Sequence, residues 1–241
     1  MEVKTDILRL LNKHRMENAF LIRALETHPD TETHVLGESV AVYEPRSGSW
    51  LFRLEKEGDF TELYGRLEAP LGTFYVSGKA FFGEIKTVIP NARAQEYVQY
   101  VMDSSMCVFN PGAINPDIEI VPIDKSWTEF ILSLYKSEEF GSKEYIDRCI
   151  ELNPGFGALL DGQKVGYILI HLDGEVGSMT ISEKARGLGI GKTLMQYINP
   201  PYAAQASIGV GFVLPDNRAS HRMMSKSCYV PFDRKILWVY H

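Results

Sequence analysis

A glycine-rich heptapeptide is the segment of this sequence whose residue types and spacing best suit ligand chemistry. It runs Arg186-Gly187-Leu188-Gly189-Ile190-Gly191-Lys192, between a strand-like run at 176–181 and a helical stripe through Ile190, Leu194 and Ile198. A glycine-rich turn that opens a helix directs several backbone N–H groups to one place, and the helix dipole adds positive potential there. The heptapeptide therefore predicts a binding site for a phosphate or a pyrophosphate.

Three glycine signatures compete for this segment. The P-loop of nucleotide-binding proteins ends as Gly191-Lys192-Thr193 does, but it requires glycine where Arg186 stands. The dinucleotide fingerprint Gly-x-Gly-x-x-Gly fails, because single residues separate the glycines and no acidic strand end follows about 20 residues on. The third signature, Arg/Gln-x-x-Gly-x-Gly/Ala, is satisfied at each fixed position by Arg186, Gly189 and Gly191. The spacing favours the third signature over a nucleotide-binding loop.

The third signature is the acyl-CoA loop of the GNAT acyltransferases, and residues 179–192 resemble that superfamily. After a strand-like run at 208–213, Asn217 opens a short helix that ends near Lys226-Ser227-Cys228-Tyr229, similar to a second family motif that closes as Lys-x-Gly-Phe. The resemblance covers about residues 118–241. Residues 173–180 also resemble the glycine N-acyltransferase-like branch, which carries a second, degenerate GNAT-like domain before the active one.

The resemblance implies an acyl-CoA, most simply acetyl-CoA, as cosubstrate, and it implies no metal. The pyrophosphate would lie over the N–H groups of 187–192, and the pantetheine arm would follow the strand at 176–181. The expected cofactor-binding residues are Met179, Thr180, Ile181, Arg186, Gly187, Leu188, Gly189, Ile190, Gly191, Lys192 and Asn217. Gly177 inside this strand predicts a β-bulge that splays it from the next strand and opens a cleft.

Direct attack of an amine on a thioester requires a general base and a donor for the developing oxyanion. Glu175 is the candidate catalytic base, since it begins the strand expected to contact CoA and the resembling branch carries an acid there. A solvated hairpin glutamate is an equally weighted alternative, and His171 and Asp173 are weaker candidates. Met224 stands where many GNAT enzymes have a tyrosine general acid, so Ser225, water or no acid at all stays open.

Composition bounds the class of protein. The chain has 241 residues, 45% of them hydrophobic, which predicts a packed core in one large or two small domains. A net charge of −6 argues against nucleic acid as a partner, and no apolar run is long enough to predict a membrane span. The acidic N-terminus does not resemble a signal or transit peptide. Three widely spaced cysteines predict neither disulfides nor a metal cluster and favour a cytoplasmic location.

The chain is expected to divide at the loop 110–117 into an N-terminal α/β domain (1–115) and a catalytic domain (116–241). In the first half, the patterns predict a helix at 6–26, strands at 35–43, 50–54 and 73–76, and a helix at 94–102. No chemistry-bearing constellation is evident in this half.

The second half predicts the element order of the GNAT plan. The elements are a strand at 118–123, a helix capped by Ser126 with Glu129, a helix capped by Ser142, hairpins at Asp161-Gly162 and Asp173-Gly174, a helix stopped by Asn199-Pro200-Pro201, a strand at 208–213 and a short helix after Asn217. The expected fold is α/β (α+β), with a mixed, mostly antiparallel GNAT-like sheet flanked by helices and a second, degenerate GNAT-like N-terminal domain.

The resulting functional prediction is an acyl-CoA-dependent N-acyltransferase, most simply an acetyltransferase. It would transfer the acyl group to a primary amine of a small molecule or amino acid. The alternative is a non-catalytic acyl-CoA-binding or regulatory protein. The expected partner is a small-molecule amine, and the sequence leaves the oligomeric state open, a homodimer included.

Overall fold

The computed structural model describes residues 2–77, 81–107, 110, 115–135 and 142–241. The helices are α1 (Glu2–Asn12), α2 (Ala19–Thr27), α3 (Asp59–Tyr64), α4 (Phe82–Val88), α5 (Thr128–Leu134), α6 (Lys143–Leu152), α7 (Ile190–Ala203) and α8 (Arg218–Ser225). The strands are β1 (Thr33–Leu36), β2 (Ser39–Glu44), β3 (Ser49–Arg53), β4 (Phe74–Ser77), β5 (Arg93–Asp103), β6 (Glu119–Pro122), β7 (Phe156–Leu160), β8 (Gln163–Ile170), β9 (Val176–Ile181), β10 (Ile208–Val213) and β11 (Val230–Tyr240).

The strands form two sheets. One has seven strands in the order β1-β2-β3-β4-β11-β5-β10, and the other has four in the order β6-β7-β8-β9. Only the β3–β4 pair is parallel among the described pairings. Helix α2 packs on β10, β2 and β3, while α7 packs on strands of the smaller sheet and on β10. The expected mixed fold, a mostly antiparallel sheet flanked by helices, is confirmed.

The last two strands of the chain pair with strands of its first half. β10 runs antiparallel to β5, and β11 lies between β4 and β5. One sheet therefore contains residues from both sides of the proposed boundary at 115/116, although that boundary stays a prediction. Residues 111–114 of the proposed boundary loop lie outside the described residues.

The helix predicted at 94–102 is wrong, because this segment is the long strand β5. The apolar spacing of Tyr97, Val98 and Val101 suggested a helical stripe, but β5 lies inside its sheet, between β10 and β11. Residues 99–102 of this strand are all buried, so its second half shows no simple alternation and periodicity alone could not separate it from a helix. Its aromatic and β-branched content was the signal that favoured a strand.

Two other segments of the first half are divided by turns that the patterns missed. The single helix expected at 6–26 is two helices, α1 and α2, with a turn between them. The single strand expected at 35–43 is the hairpin β1–β2, which turns at Gly37 with φ of 60°. Glycine adopts this left-handed conformation at little cost, so the chain reverses there.

Capping in the second half follows prediction at one helix and departs from it at another. The Ser142 hydroxyl accepts a hydrogen bond from the Tyr145 N–H and begins α6, as expected. Ser126 does not cap α5, because Asp124 accepts the Ser126 N–H and begins a 3-10 turn that leads into α5 at Thr128. The carboxylate of Asp124 thus took the capping position two residues earlier.

Helix α7 continues through Pro200 and Pro201 to Ala203, so the predicted stop at 199–201 is wrong. Tyr202 anchors the final turn, since its ring is fully buried and its hydroxyl bonds the carbonyls of Gly174 and Val210. Proline removes helix hydrogen bonds. Here tertiary packing of the last turn outweighs that loss.

Candidate functional site

A cavity of about 420 Å³ lies where β9 and β10 diverge. The two strands are close near Gly211, where an added Cβ would lie 3.2 Å from the Val176 carbonyl oxygen. β9 and β10 belong to different sheets, and Gly177, Met179 and Phe212 line the gap between them. The site is thus the seam between the two sheets.

A β-bulge in β9 shapes one edge of the cavity. Tyr167 of β8 pairs with Thr180, whereas Leu169 pairs with Gly177, so β9 carries one more residue than β8 across this interval. Ser178 has φ of 51°. The predicted bulge therefore exists, but it lies just after Gly177 and not on it. A bulge interrupts the ladder and aims backbone groups away from the neighbouring strand.

The heptapeptide forms a loop that leads into the first turn of α7. Gly187 and Gly189 have φ of 86° and 78°, and a Cβ on either would meet open space within the described residues. Gly189 is the N-cap residue and supplies no side-chain cap. The first N–H groups of a helix have no intrahelical partner. The loop thus presents a backbone cradle of the kind that binds a pyrophosphate.

The side chains of the loop divide into exposed and packed groups. Leu188 and Lys192 are exposed, and exposed Arg186 lies 3.8 Å from the Glu183 carboxylate. Ile190 is buried. Gly191 is packed, because a Cβ there would lie 2.7 Å from Met223 Cε and 3.5 Å from Met179 Cε. Both methionines line the cavity, so the loop adjoins it.

The remaining expected cofactor residues lie at different places around the loop and cavity. Met179 and Thr180 line the cavity, whereas Ile181 pairs with Gly166 of β8. Asn217 lines the cavity and caps α8 by accepting the Ser220 N–H at 3.1 Å.

Asn115 was missed by the sequence reasoning. Its amide donates to the Leu188 carbonyl at 2.7 Å, and its N–H donates to Thr193 Oγ1 at 3.1 Å. These two bonds tie the end of the proposed N-terminal domain to the heptapeptide loop and to the first turn of α7. No spacing in the sequence pointed to this contact across more than 70 residues.

Glu175 lines the cavity and is 6% exposed. Its Oε1 accepts the Phe212 N–H at 2.7 Å, and its own N–H donates to Asp173 Oδ1 at 3.0 Å. Burial, followed by the charge of Asp173, raises the pKa of Glu175 well above the ordinary glutamate range. The position excludes the solvated hairpin glutamate that the sequence left open, while its role as base stays a prediction.

Polar groups from distant parts of the chain surround Glu175. The Tyr75 hydroxyl donates to Asp173 Oδ2 at 2.6 Å, and the Tyr145 hydroxyl lies 2.7 Å from His171 Nδ1. Burial lowers the pKa of His171, which favours a neutral imidazole at the cavity wall. Tyr75 and Tyr145 were missed by the sequence reasoning, because no local pattern links them to residues 171–175.

The residues around the expected general-acid position differ in burial and in whether they line the cavity. Met224 is buried and lines the cavity, whereas Ser225 is exposed and does not line it. Tyr229 is buried, with its hydroxyl 3.4 Å from Asn199 Oδ1. Of these three residues only Met224 lines the cavity.

The described residues offer neither a metal-binding cluster nor a membrane-spanning helix. No cluster of three or more histidine, cysteine, aspartate or glutamate residues could hold a metal ion there. Within the same residues, no helix has both the length and the apolar character needed to cross a bilayer.

Comparisons with known proteins identify the fold of the chain and a family match for part of it. The model of the Acetyltransferase (GNAT) family matches residues 123–228. A structural-genomics structure from Drosophila has a TM-score of 0.73 at 12% identity, covering 99% of this chain and 95% of that one. A GCN5-related N-acetyltransferase-like protein from Streptococcus suis has a TM-score of 0.56 at 16% identity, covering 98% of each chain.

A tandem GNAT protein from the clavulanic acid pathway has a TM-score of 0.50 at 12% identity, covering 92% of this chain and 87% of that one. This likeness is consistent with the expected tandem arrangement. No curated protein sequence matches the chain. The acyl-CoA loop signature lies inside the matched segment, so residues 123–228 of this chain match the GNAT family, and the chain as a whole shares its fold with these structures.

Proposed function

We propose that this protein is an acyl-CoA-dependent N-acyltransferase, most simply an acetyltransferase, that acts on a primary amine of a small molecule. The observation that carries the proposal is the buried carboxyl of Glu175 in a cavity that adjoins the heptapeptide loop. Acetyl-CoA is the expected cosubstrate. The open cradle at Gly187 and Gly189 suits its pyrophosphate, because a side chain at either position would occupy that space.

In this proposal Glu175 accepts a proton from the attacking amine. The amine nitrogen forms a bond to the thioester carbonyl carbon, the carbon–sulfur bond breaks, and the electron pair leaves on the CoA sulfur. A raised pKa suits a general base that works near neutral pH. Backbone N–H groups freed at the bulge beside Met179 are the candidate donors to the oxyanion.

The departing thiolate needs no dedicated acid in this scheme. Met224 replaces the tyrosine that the resemblance suggested, and its side chain cannot donate a proton. A CoA thiolate is stable enough near neutral pH to leave and take a proton from water. The proposal therefore assigns no residue to the acid role.

Thermal unfolding with acetyl-CoA, combined with free-thiol detection over an amine panel, tests the proposal. We expect acetyl-CoA to raise the Tm, Arg186→Glu to abolish that rise, and thiol release to depend on an amine. An unchanged rise in Arg186→Glu would overturn the loop assignment. A normal rise without thiol release for any amine would favour the non-catalytic acyl-CoA-binding alternative.

A further inference from the structure

We propose that the acceptor amine is carried on an aromatic or similarly flat apolar body without a carboxylate, as in a 2-arylethylamine. The inference rests on the proposed function and narrows its acceptor. It is carried by an aromatic wall beside Glu175 and by the charges around the cavity. It differs from the amino-acid acceptor that a glycine N-acyltransferase-like relative would suggest.

The aromatic wall consists of Tyr75, Tyr97, Phe212 and Trp238, from four different strands of the larger sheet. Ring centroids of Tyr75 and Phe212 lie 5.5 Å apart, those of Tyr75 and Trp238 5.1 Å, and those of Tyr97 and Trp238 5.5 Å. Three of the four, all but Tyr75, line the cavity. Rings held by such mutual contacts form a preorganised surface for another flat apolar group.

The wall and the candidate base share a residue. Phe212 contributes its ring to the wall, and its backbone N–H donates to Glu175 Oε1 at 2.7 Å. An amine within reach of Glu175 therefore has the aromatic wall immediately beside it. A short alkyl link between amine and ring matches this arrangement, whereas glycine would leave the wall uncovered.

The charges near the base disfavour an acceptor carboxylate. Glu175 and Asp173 are both buried, and the described residues that line the cavity include no lysine or arginine. A carboxylate placed beside these acids would lose its water without gaining a cationic partner. Burial of an unpaired charge costs several kcal/mol in real proteins.

The buried arginine near this region has its donors engaged elsewhere. Arg23 donates through Nε to the Gly174 carbonyl at 2.9 Å, through Nη1 to the Ile208 carbonyl at 3.1 Å and through Nη2 to Gln205 Oε1 at 2.6 Å. Its guanidinium also lies 3.8 Å from the Tyr202 ring centroid. Arg23 thus holds the β9 and β10 ends together and does not provide a carboxylate site.

The decisive comparison uses 2-phenylethylamine and phenylalanine, which differ only by a carboxylate. Phenylalaninamide keeps a substituent of similar size on the α-carbon without the negative charge, and glycine and methylamine lack the ring. We expect kcat/KM for 2-phenylethylamine to exceed that for phenylalanine and glycine by at least about tenfold, a modest discrimination for an enzyme pocket. Phenylalaninamide should recover most of the loss. A preference for glycine or phenylalanine would overturn the inference and leave the proposed N-acyltransferase function intact.

Variants at Trp238 test the wall itself. Trp238→Leu should raise KM for 2-phenylethylamine by about tenfold, as expected for a lost pocket contact, and should raise KM for methylamine much less. Trp238→Phe keeps an aromatic ring, so it should restore most of the affinity for 2-phenylethylamine and controls for a folding defect. Tyr240→Leu, at an exposed position two residues along the same strand, is the matched control. Equal effects of Trp238→Leu on methylamine and 2-phenylethylamine would show that the aromatic wall does not bind the ring of the acceptor.

Binding gives a readout that does not require turnover. Trp238 lines the cavity, so 2-phenylethylamine should change the tryptophan fluorescence of the wild type but not of Trp238→Phe. If no amine is acylated while 2-phenylethylamine still binds more tightly than phenylalanine, the proposed function fails and the acceptor-site inference stands. If neither amine binds or phenylalanine binds more tightly, the inference is overturned.

Discussion

The heptapeptide loop and the aromatic wall flank the same cavity but are built in opposite ways. The loop consists of consecutive residues, 186–192, several of them exposed, and it offers backbone N–H groups. The wall consists of side chains from β4, β5, β10 and β11, and Glu175 lies just before β9. Most of these side chains are buried. One side of the cavity is therefore local in sequence, and the other exists only after the two sheets have met.

This difference has a physical origin. A backbone cradle needs glycine torsions and a helix start, both of which short-range sequence determines. A pocket for an acceptor needs side chains of particular shape and charge, and any strand that reaches the seam can supply them. Acetyl-CoA binding should therefore be sensitive to backbone torsions in the loop, whereas turnover of the acceptor should be sensitive to side-chain charge and shape.

Removal of the candidate base should give the largest effect. Glu175→Gln keeps the side-chain shape and an acceptor oxygen for the Phe212 N–H, but it cannot take a proton. We expect kcat to fall by about 10²- to 10⁴-fold, the usual contribution of a general base. The rise in Tm with acetyl-CoA should persist, because the loop is unchanged.

The control for this prediction is Glu183→Gln, an exposed glutamate close to the heptapeptide loop, which should leave kcat within twofold of wild type, about the smallest change worth interpreting. A loss of acetyl-CoA stabilisation in Glu175→Gln would show that the two sides of the cavity are not separable.

A torsional change should affect the loop selectively. Gly189→Val forces a β-branched residue to φ of 78°, which costs roughly 1–2 kcal/mol, and its side chain would fill the cradle. We expect at least about tenfold weaker acetyl-CoA binding in calorimetry, since close backbone approach is lost. Gly162→Val is the matched control, because Gly162 has φ of 74° in the β7–β8 turn and also faces open space. Equal loss of affinity in both variants would refute a specific role for the loop.

A change in charge should shift the pH dependence without abolishing activity. The charge of Asp173 contributes to the raised pKa of Glu175, after burial. Because the base acts deprotonated, kcat/KM should rise with pH through that pKa, and Asp173→Asn should move the rise to lower pH. Tyr75→Phe, which removes only the hydroxyl bonded to Asp173, should leave the position of the rise in place. A pH profile that is identical in wild type and Asp173→Asn would contradict Glu175 as the base.

The smallest effect is expected at Ser225, which the sequence left open as a general acid. Ser225 is exposed and does not line the cavity. Ser225→Ala should leave kcat within about twofold of wild type, as for most surface changes away from a site. A larger loss of kcat would make Ser225 a candidate general acid again.

Local signals in the sequence correctly predicted the two hairpin turns of the second half and the cap of α6. Asp161-Gly162 and Asp173-Gly174 turn where expected, and Ser142 caps α6. The failures occurred where distant packing overrides a local preference. Helix α7 continues past its prolines because Tyr202 is anchored to other elements, and β5 is a strand because it pairs with β10 and β11 at its two edges.

The sequence by itself predicted the loop and an acyl-CoA ligand for it, because Arg186, Gly189 and Gly191 act through short-range geometry. It also indicated Glu175, although it could not separate a buried acid from a solvated one. Only the tertiary structure decided that Glu175 lies buried at the seam between the two sheets, beside Asp173 and Phe212. The contact between strands β9 and β10 of two different sheets brings Glu175 and Phe212 together, and such a contact leaves no periodic signature in the chain.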